Sequence, residues 1–310
     1  LSRALFNRSS TWVKERFGGR VQKIPVDAGF SCPNLDGTLS KQGCLYCNNR
    51  SFSPFYSSAQ LSISEQLHKG RAYFAGRYGC QKFFAYFQSY SCTYAPVKTL
   101  REKYQEAANS EGIIGLVIAT RPDCISTEIV ELLKEFAGKT FIRVELGVES
   151  CDDEVLSSIN RCHNVATALN SVKLLSSAAI PVSIHLISGL PGEQPDHMAR
   201  AARIVSESGA DMVKLHHLQI VNGSRLAELY KLHPENYRLY TLEDYLDKVC
   251  EFIASLSPKI YLDRFIGRVP LNQLLAPVFK GIDEAEFQRR LESRLRKLNL
   301  EQGAEYAATA

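Results

Sequence analysis

The sequence predicts an α/β chain and, within that class, an open or incomplete (β/α) barrel. Two observations carry this. Strand-like and helix-like segments alternate at a spacing of about 30 residues, as βαβ crossovers between parallel strands require. Polar residues and glycines gather where the strand segments end: at Gln88, from Thr120 to Asp123, from Glu145 to Glu149, at Ser188-Gly189 and at His216. A doubly wound sheet and a TIM-like barrel both fit, since each places its site at the carboxyl ends of strands. Only six good units are visible, which favours an incomplete barrel over a closed one of eight.

Residues 23–27 read as the first short strand, and a Gly/Pro/Asn/Asp-rich stretch follows. Ser62 or Ser64 caps a helix over 62–79. The aromatic run 82–88 is the next strand, and Pro96 opens a helix that reaches about Ser110. Residues 113–120 are apolar on both parities, as in a strand covered on both faces. Ser126 caps a helix over 127–137. A strand over 140–149 leads into helices over 152–159 and 164–178. Pro181 starts a strand over 181–189, at a position that needs no ladder donor. A helix over 195–208 and a strand over 211–219 follow. Thr241 and Asp244 form a capping-box variant ahead of a helix over 242–256. Residues 261–265 are a last short strand, and 283–298 a charged helix. The expected organisation is an N-terminal extension (1–22), the barrel (23–257) and a C-terminal closing segment (258–310).

The 310 residues are 45% apolar and 23% charged, a globular composition that excludes disorder, collagen-like repetition and a small disulfide scaffold. A net charge of +4 permits a nucleic-acid partner without arguing for one. No apolar run reaches the roughly 18–20 residues that span a bilayer, and no signal peptide stands out. No membrane partner and a cytoplasmic location are expected. The nine cysteines cannot all pair internally and fit a reducing compartment.

Three of them crowd together, as Cys32-Pro-Asn-Leu-Asp-Gly-Thr-Leu-Ser-Lys-Gln-Gly-Cys44-Leu-Tyr46-Cys47. The two-residue gap between Cys44 and Cys47 lets neighbouring thiolates grip one metal or cluster. Cys32 lies across a turn-rich loop that can fold back. Three cysteines suit a four-iron cluster with one iron open to an outside ligand. Zinc wants a fourth ligand, from Cys80, Cys92 or His68, none at motif spacing. A redox dithiol is the third reading.

The segment KIPVDAGFSCPNLDGTLSKQGCLYCNN resembles the opening of the radical S-adenosylmethionine (SAM) proteins of the YhcC type, distant relatives of the Elp3 enzymes. Further blocks agree in order: YFQSYSCTYAP, IATRPDC, VELGVES, INRCHN, ISGLPGE and VKLHHLQIVNGSRLAELY. The resemblance runs from about Phe6 to the Pro277 region. It implies a partial (β/α)6 TIM-like barrel of the radical SAM type. It implies a [4Fe–4S] cluster on Cys32, Cys44 and Cys47, with SAM chelated at the open iron and cleaved by one electron to a 5′-deoxyadenosyl radical. A reductant such as flavodoxin or ferredoxin would supply that electron. Tyr46 is expected near the adenine. Gln88 and Ser89, with Tyr90, stand where relatives hold the SAM amino group, although the usual Gly-Gly-Glu is absent. Relatives point to tRNA wobble uridine as a substrate; a small metabolite or a protein is the alternative. A zinc- or cluster-stabilised RNA-binding protein without radical chemistry is the rival from another class.

Other positions carry a chemical and a structural reading. Glu145 and Glu149 lie on one side of a strand and are expected to reach the ribose of SAM, against a salt-bridge role. Arg121 holds a substrate anion or pairs with Asp123. Gly189 makes a tight turn by the adenine or a purely structural one. His185, Lys214 and His216 meet substrate or pack in the core. Arg264 and Arg268 come from the closing segment and cover the site. The arginines of the last helix are a solvated face. The remaining cysteines are small buried filler, with Cys124 the one expected nearest a site.

Overall fold

The computed structural model describes residues 4–267 and 269–307; Arg268 lies outside them. The strands in chain order are β1 (Gln22–Val26), β2 (Phe83–Phe87), β3 (Ile113–Thr120), β4 (Phe141–Glu149), β5 (Val182–Ser188), β6 (Met212–His217), β7 (Ile220–Val221), β8 (Tyr261–Leu262) and β9 (Leu274–Ala276). Seven of them form one parallel sheet in the order β1-β2-β3-β4-β5-β6-β8. It is a curled, partly open half-barrel, the architecture that the sequence predicts. β7 and β9 pair antiparallel beside it.

The helices are α1 (Ser9–Phe17), α2 (Ile63–Tyr78), α3 (Val97–Ala108), α4 (Thr127–Ala137), α5 (Asp153–Ser158), α6 (Val165–Ser177), α7 (His197–Glu207), α8 (Arg225–Leu232), α9 (Leu242–Ser255) and α10 (Glu284–Leu298). Local chemistry sets their starts. Ser62 and Glu65 close a capping box on α2, and Thr241 and Asp244 close one on α9. Ser126, Asn164, Ser224 and Asp283 each accept a backbone N–H in the first turn of their helices.

β2 shows how the sheet divides the interior. All five of its residues are buried. Phe83, Ala85 and Phe87 join the large core under the helices, with Leu100, Tyr104, Leu116 and Ile118. Phe84 and Tyr86, one residue out of phase, join Val117, Phe17 and Phe141 on the opposite face. Burying such a side chain contributes about 2–3 kcal/mol. Phe17 of α1 packs edge-on to Phe84 at 5.3 Å and to Phe141 at 5.1 Å, and Trp12 lies 5.8 Å from Phe141. Helix α1 therefore plugs the end of the curl where the strands begin.

The sequence reading of residues 1–22 as an extension contains no helix there. Arg8 at the N-cap of α1 makes no side-chain cap bond, so the local start signal is missing. Helix α8 was likewise not predicted. β8 lies past residue 257 yet pairs with β6, Tyr261 opposite Met212 and Leu262 opposite Val213. The chain ends meet behind it: Gln302 accepts the Asn7 N–H at 2.8 Å and donates to the carbonyls of Ser257 and Ile260. Phe287, Leu291 and Leu295 seal α10 against the core. Its arginines pair with Glu243, Asp247, Glu286 and Glu292.

Candidate active site

The long loop after β1 folds back on itself. The Asn34 carbonyl accepts the Gly43 N–H at 2.7 Å, and the Cys32 carbonyl accepts the N–H groups of Leu35 and Asp36. Asn160, between α5 and α6, pins the loop: its amide donates to the Gly43 carbonyl at 2.7 Å, and its own carbonyl accepts from Asn34 at 2.7 Å. The result brings Cys32, Cys44 and Cys47 to the wall of one cavity at the mouth of the half-barrel.

Donors already point at two of the sulfurs. Cys44 Sγ accepts from Asn34 Nδ2 at 3.3 Å and from Arg161 Nη1 at 3.4 Å. Cys47 Sγ accepts from Asn49 Nδ2 at 3.6 Å. Burial, with Cys44 adjacent, pushes the Cys47 thiol up to about 12, and burial raises Cys32 as well. Left alone these groups stay protonated; a bound metal centre removes such protons. Among the described residues, no three Cys, His, Asp or Glu side chains close on one point as a single ion requires. Cys80, Cys92 and His68 do not line the cavity. Three sulfurs on one loop, outer N–H donors and open space beyond fit an iron–sulfur cluster.

Beside the thiols stand Tyr46, Gln88, Arg121, Glu149 and Arg161. Arg161 is buried and donates to the Gly147 carbonyl, and its Nη2 lies 3.5 Å from Glu149 Oε1. Glu149 takes φ 74°, a left-handed conformation costly for a side chain of its size. Gly147 makes the room, because a Cβ there would sit 2.6 Å from Glu149 Oε1 and 2.9 Å from Arg161 Nη2. Burial raises the Glu149 carboxyl against the pull of Arg161 and a hydrogen bond from Tyr46. Arg121 forks onto Asp123 with two bonds of 2.8 Å and donates to the Arg161 carbonyl.

Deeper in the curl lies a second polar layer. Glu145 is 2% exposed and fully engaged. Its Oε1 accepts from Lys23 at 2.6 Å and Arg143 at 3.1 Å. Its Oε2 accepts from the Tyr86 hydroxyl at 2.8 Å and Lys214 at 3.2 Å. Asp263 takes Lys23 at 3.0 Å and the Ser9 hydroxyl at 2.5 Å. Burial opposes the ionised form of Glu145, and Lys214, Lys23 and Arg143 outweigh it, so the carboxyl sits well below its ordinary value. Burial brings Lys214 down to about 8 despite Glu145.

Above this layer His185 Nε2 and His216 Nε2 face each other at 2.9 Å, and Arg264 Nη2 lies 3.1 Å from His216 Nε2. Arginine only donates. His216 Nε2 is therefore the acceptor, its proton sits on Nδ1, and His185 donates through Nε2. Burial holds both rings well below the usual histidine range, with Lys214 adding to it at His185 and Arg264 at His216, so both are neutral.

Of the residues singled out in the sequence, Cys32, Cys44, Tyr46, Cys47, Gln88, Arg121, Glu145, Glu149, His185, Lys214 and His216 all line this cavity. Ser89 and Gly189 do not: Ser89 faces Ser53 and Ser57, and Gly189 lines a separate hollow with Glu193, His197 and Tyr240. Sequence reasoning missed Arg161, Lys23, Tyr86, Arg143 and Asp263. Arg143 carried a signal, since a charge two residues before Glu145 must share its face of the strand.

A parallel half-barrel with three thiols at its mouth and a polar pit beneath has the form of an α/β enzyme fold with its site at the carboxyl ends of the strands. The chain belongs to the radical SAM superfamily: residues 41–205 match the superfamily itself and 210–297 match the radical SAM C-terminal domain. It is 36% identical to the Escherichia coli (strain K12) protein YhcC over 268 residues, 86% of this chain and 85% of that one. It is 33% identical to a tRNA uridine(34) acetyltransferase of Methanocaldococcus infernus over 191 residues, 59% of this chain and 34% of that one. The solved Methanocaldococcus infernus Elp3 structure superposes with a TM-score of 0.69 at 17% identity, covering 91% of this chain and 64% of the other, a likeness of fold. No helix among the described residues is long and apolar enough to cross a membrane.

Proposed function

We propose that this chain is a radical SAM enzyme whose Cys32, Cys44 and Cys47 hold a [4Fe–4S] cluster. The observation that carries the reading is the gathering of these three thiols, two with N–H donors aimed at sulfur, on the wall of one cavity in a superfamily member. Once loaded, that cluster with SAM supplies a 5′-deoxyadenosyl radical for hydrogen abstraction. The protein's own part is to hold, orient and exclude water. Arg161 screens the charge at Cys44, and Asn34 and Asn160 fix the loop that carries it. Glu149, held by Arg161 and Tyr46, presents a carboxylate beside the thiols for the hydroxyl or amino groups of SAM. Tyr46 offers a ring for the adenine. Glu145, with four donors on it, acts as the anchor of the deeper layer rather than as a ribose ligand. A reductant such as a flavodoxin or ferredoxin would supply the electron.

Similarity to enzymes named for tRNA uridine(34) supports a wobble uridine of tRNA as the modified group, and the net charge of +4 is compatible with it. The cation-rich floor of the cavity favours a second reading, in which a small molecule is substrate or co-substrate.

Anaerobic reconstitution tests the cofactor reading. The expected result is about four irons and four sulfides per chain, and 5′-deoxyadenosine on reduction with SAM. Cys44→Ala should lose both. A chain that takes zinc instead, or binds SAM without cleaving it, overturns the proposal. Nucleoside profiling of tRNA from cells lacking the gene tests the substrate, and an unchanged profile rejects the tRNA assignment.

A further inference from the structure

Positive charge outnumbers negative charge in the pit below the thiols, and one cation there has no acid of its own. Arg264 acts on Glu284 through space and bonds to no carboxylate, while Lys23, Arg143 and Lys214 bond to Glu145 and Asp263. Both acids are spent. Glu145 accepts from Lys23, Arg143, Tyr86 and Lys214, and Asp263 accepts from Lys23 and Ser9. Glu284, on the same closing segment, accepts the backbone N–H groups of Phe265 and Ile266 and the Gln288 amide.

Arg264 is left over. Its guanidinium donates to His216 Nε2 at 3.1 Å, its Nε is buried without a partner, and no carboxylate pairs with it among the described residues. Its position is set by the sheet, since the Arg264 carbonyl accepts the Leu215 N–H at 2.8 Å. The neutral His216 ring steadies the guanidinium without neutralising it. A half-buried guanidinium with no acid of its own and one buried N–H without an acceptor is costly, and a cavity that keeps one suits an anion.

We propose that Arg264, with Lys214 beside it, is an anion subsite on the floor of the cavity that takes a carboxylate of the molecule this enzyme acts on. This rests on the reading above, in which SAM occupies the thiol end and leaves the floor to the substrate. A carboxylate matches the planar fork of one guanidinium through two parallel N–H bonds. A phosphate dianion needs more donors than the floor has left, and would press against Glu145.

Calorimetric titration of the reconstituted protein tests this, with sodium acetate and inorganic phosphate as probes at constant ionic strength, each with and without saturating SAM. The expected result is saturable acetate binding, phosphate about tenfold weaker, and an acetate affinity unmoved by SAM. Arg264→Gln should weaken acetate by about tenfold or more, and Arg264→Lys, which keeps the charge but not the fork, by a smaller factor. Circular dichroism reports whether each variant folds; if Arg264→Gln does not, Arg264→Lys carries the comparison. Unchanged acetate binding in the folded variants, or no saturable binding in the wild type, overturns the subsite. Displacement of acetate by SAM gives Arg264 to the cofactor's own carboxylate, and a preference for phosphate rejects the carboxylate; either overturns the proposal. Iron content is read on the same wild-type samples. A failure of the cluster reading and a failure of the anion site are therefore separate results.

Discussion

Arg161 Nη1 lies 3.4 Å from Cys44 Sγ, across 117 residues of sequence. The same guanidinium holds Glu149 and the Gly147 carbonyl. One buried cation thus ties the cysteine loop to the end of β4. The cavity wall on this side depends on it.

Arg161→Met should therefore cost about 3–5 kcal/mol, because it strands the buried Glu149 carboxylate. Urea unfolding measures this. The double variant Arg161→Met/Glu149→Gln should recover part of the loss, and equal instability of the two would show that the pair is not coupled.

Glu145 and Asp263 make the protein sensitive to acid. Lys214, Lys23 and Arg143 outweigh the burial penalty at Glu145, and its folded-state carboxyl sits well below the ordinary value. Lys23 and Arg143 do the same against burial at Asp263. A depressed carboxyl contributes stability that is present above its unfolded value and lost as pH falls toward the folded one. Wild type should lose stability as pH drops below about 4.5. Glu145→Gln should be less stable at pH 7 and show a shallower acid slope, read from unfolding midpoints between these limits.

Lys214 gives a slope of the same sign at alkaline pH. Burial brings it to about 8. Between that value and the ordinary lysine range the unfolded chain binds the extra proton, so this group's contribution to stability rises with pH. The stability of wild type relative to Lys214→Met should shift toward wild type by on the order of 3 kcal/mol across that window. A difference independent of pH would place the Lys214 titration elsewhere.

The plug at the strand starts predicts a mechanical effect. Phe17→Ala removes its edge contacts with Phe84 and Phe141. The ring is half-buried, so the expected loss is roughly 1–3 kcal/mol in a thermal melt. Phe17→Leu should restore most of it.

Most of the frame was legible because it rests on local signals. The double-parity apolar run from Ile113 to Thr120 became a strand with those ends, and Ser126 and the Thr241–Asp244 pair cap the helices they were expected to cap. Helix α1 was not legible, since the aromatic rings that Phe17 packs against, Phe84 and Phe141, lie far along the chain. The cysteine loop was visible as a cluster, yet its geometry depends on Asn160 and Arg161, which no spacing rule connects to it. The deeper layer was half visible. Glu145, His185, Lys214 and His216 stood out singly, and what binds them, Lys23 from β1 and Asp263 and Arg264 from beyond β8, is a product of sheet closure. A boundary after residue 257 separates that closing segment in sequence, while β8 beside β6 brings Arg264 into the cavity.

Lys23 and Asp263 are bonded partners 240 residues apart. During synthesis nearly the whole barrel emerges before Asp263 does. Until then Lys23, Arg143 and Lys214 have Glu145 but not Asp263, and Ser9 lacks its Asp263 bond. The strands can pair in order as they appear, but the pit acquires its charge balance, and Arg264 its place, only once the residues from Asp263 onward have emerged. A ribosome-bound or prematurely terminated chain holds the three cysteines without a finished chamber beneath them.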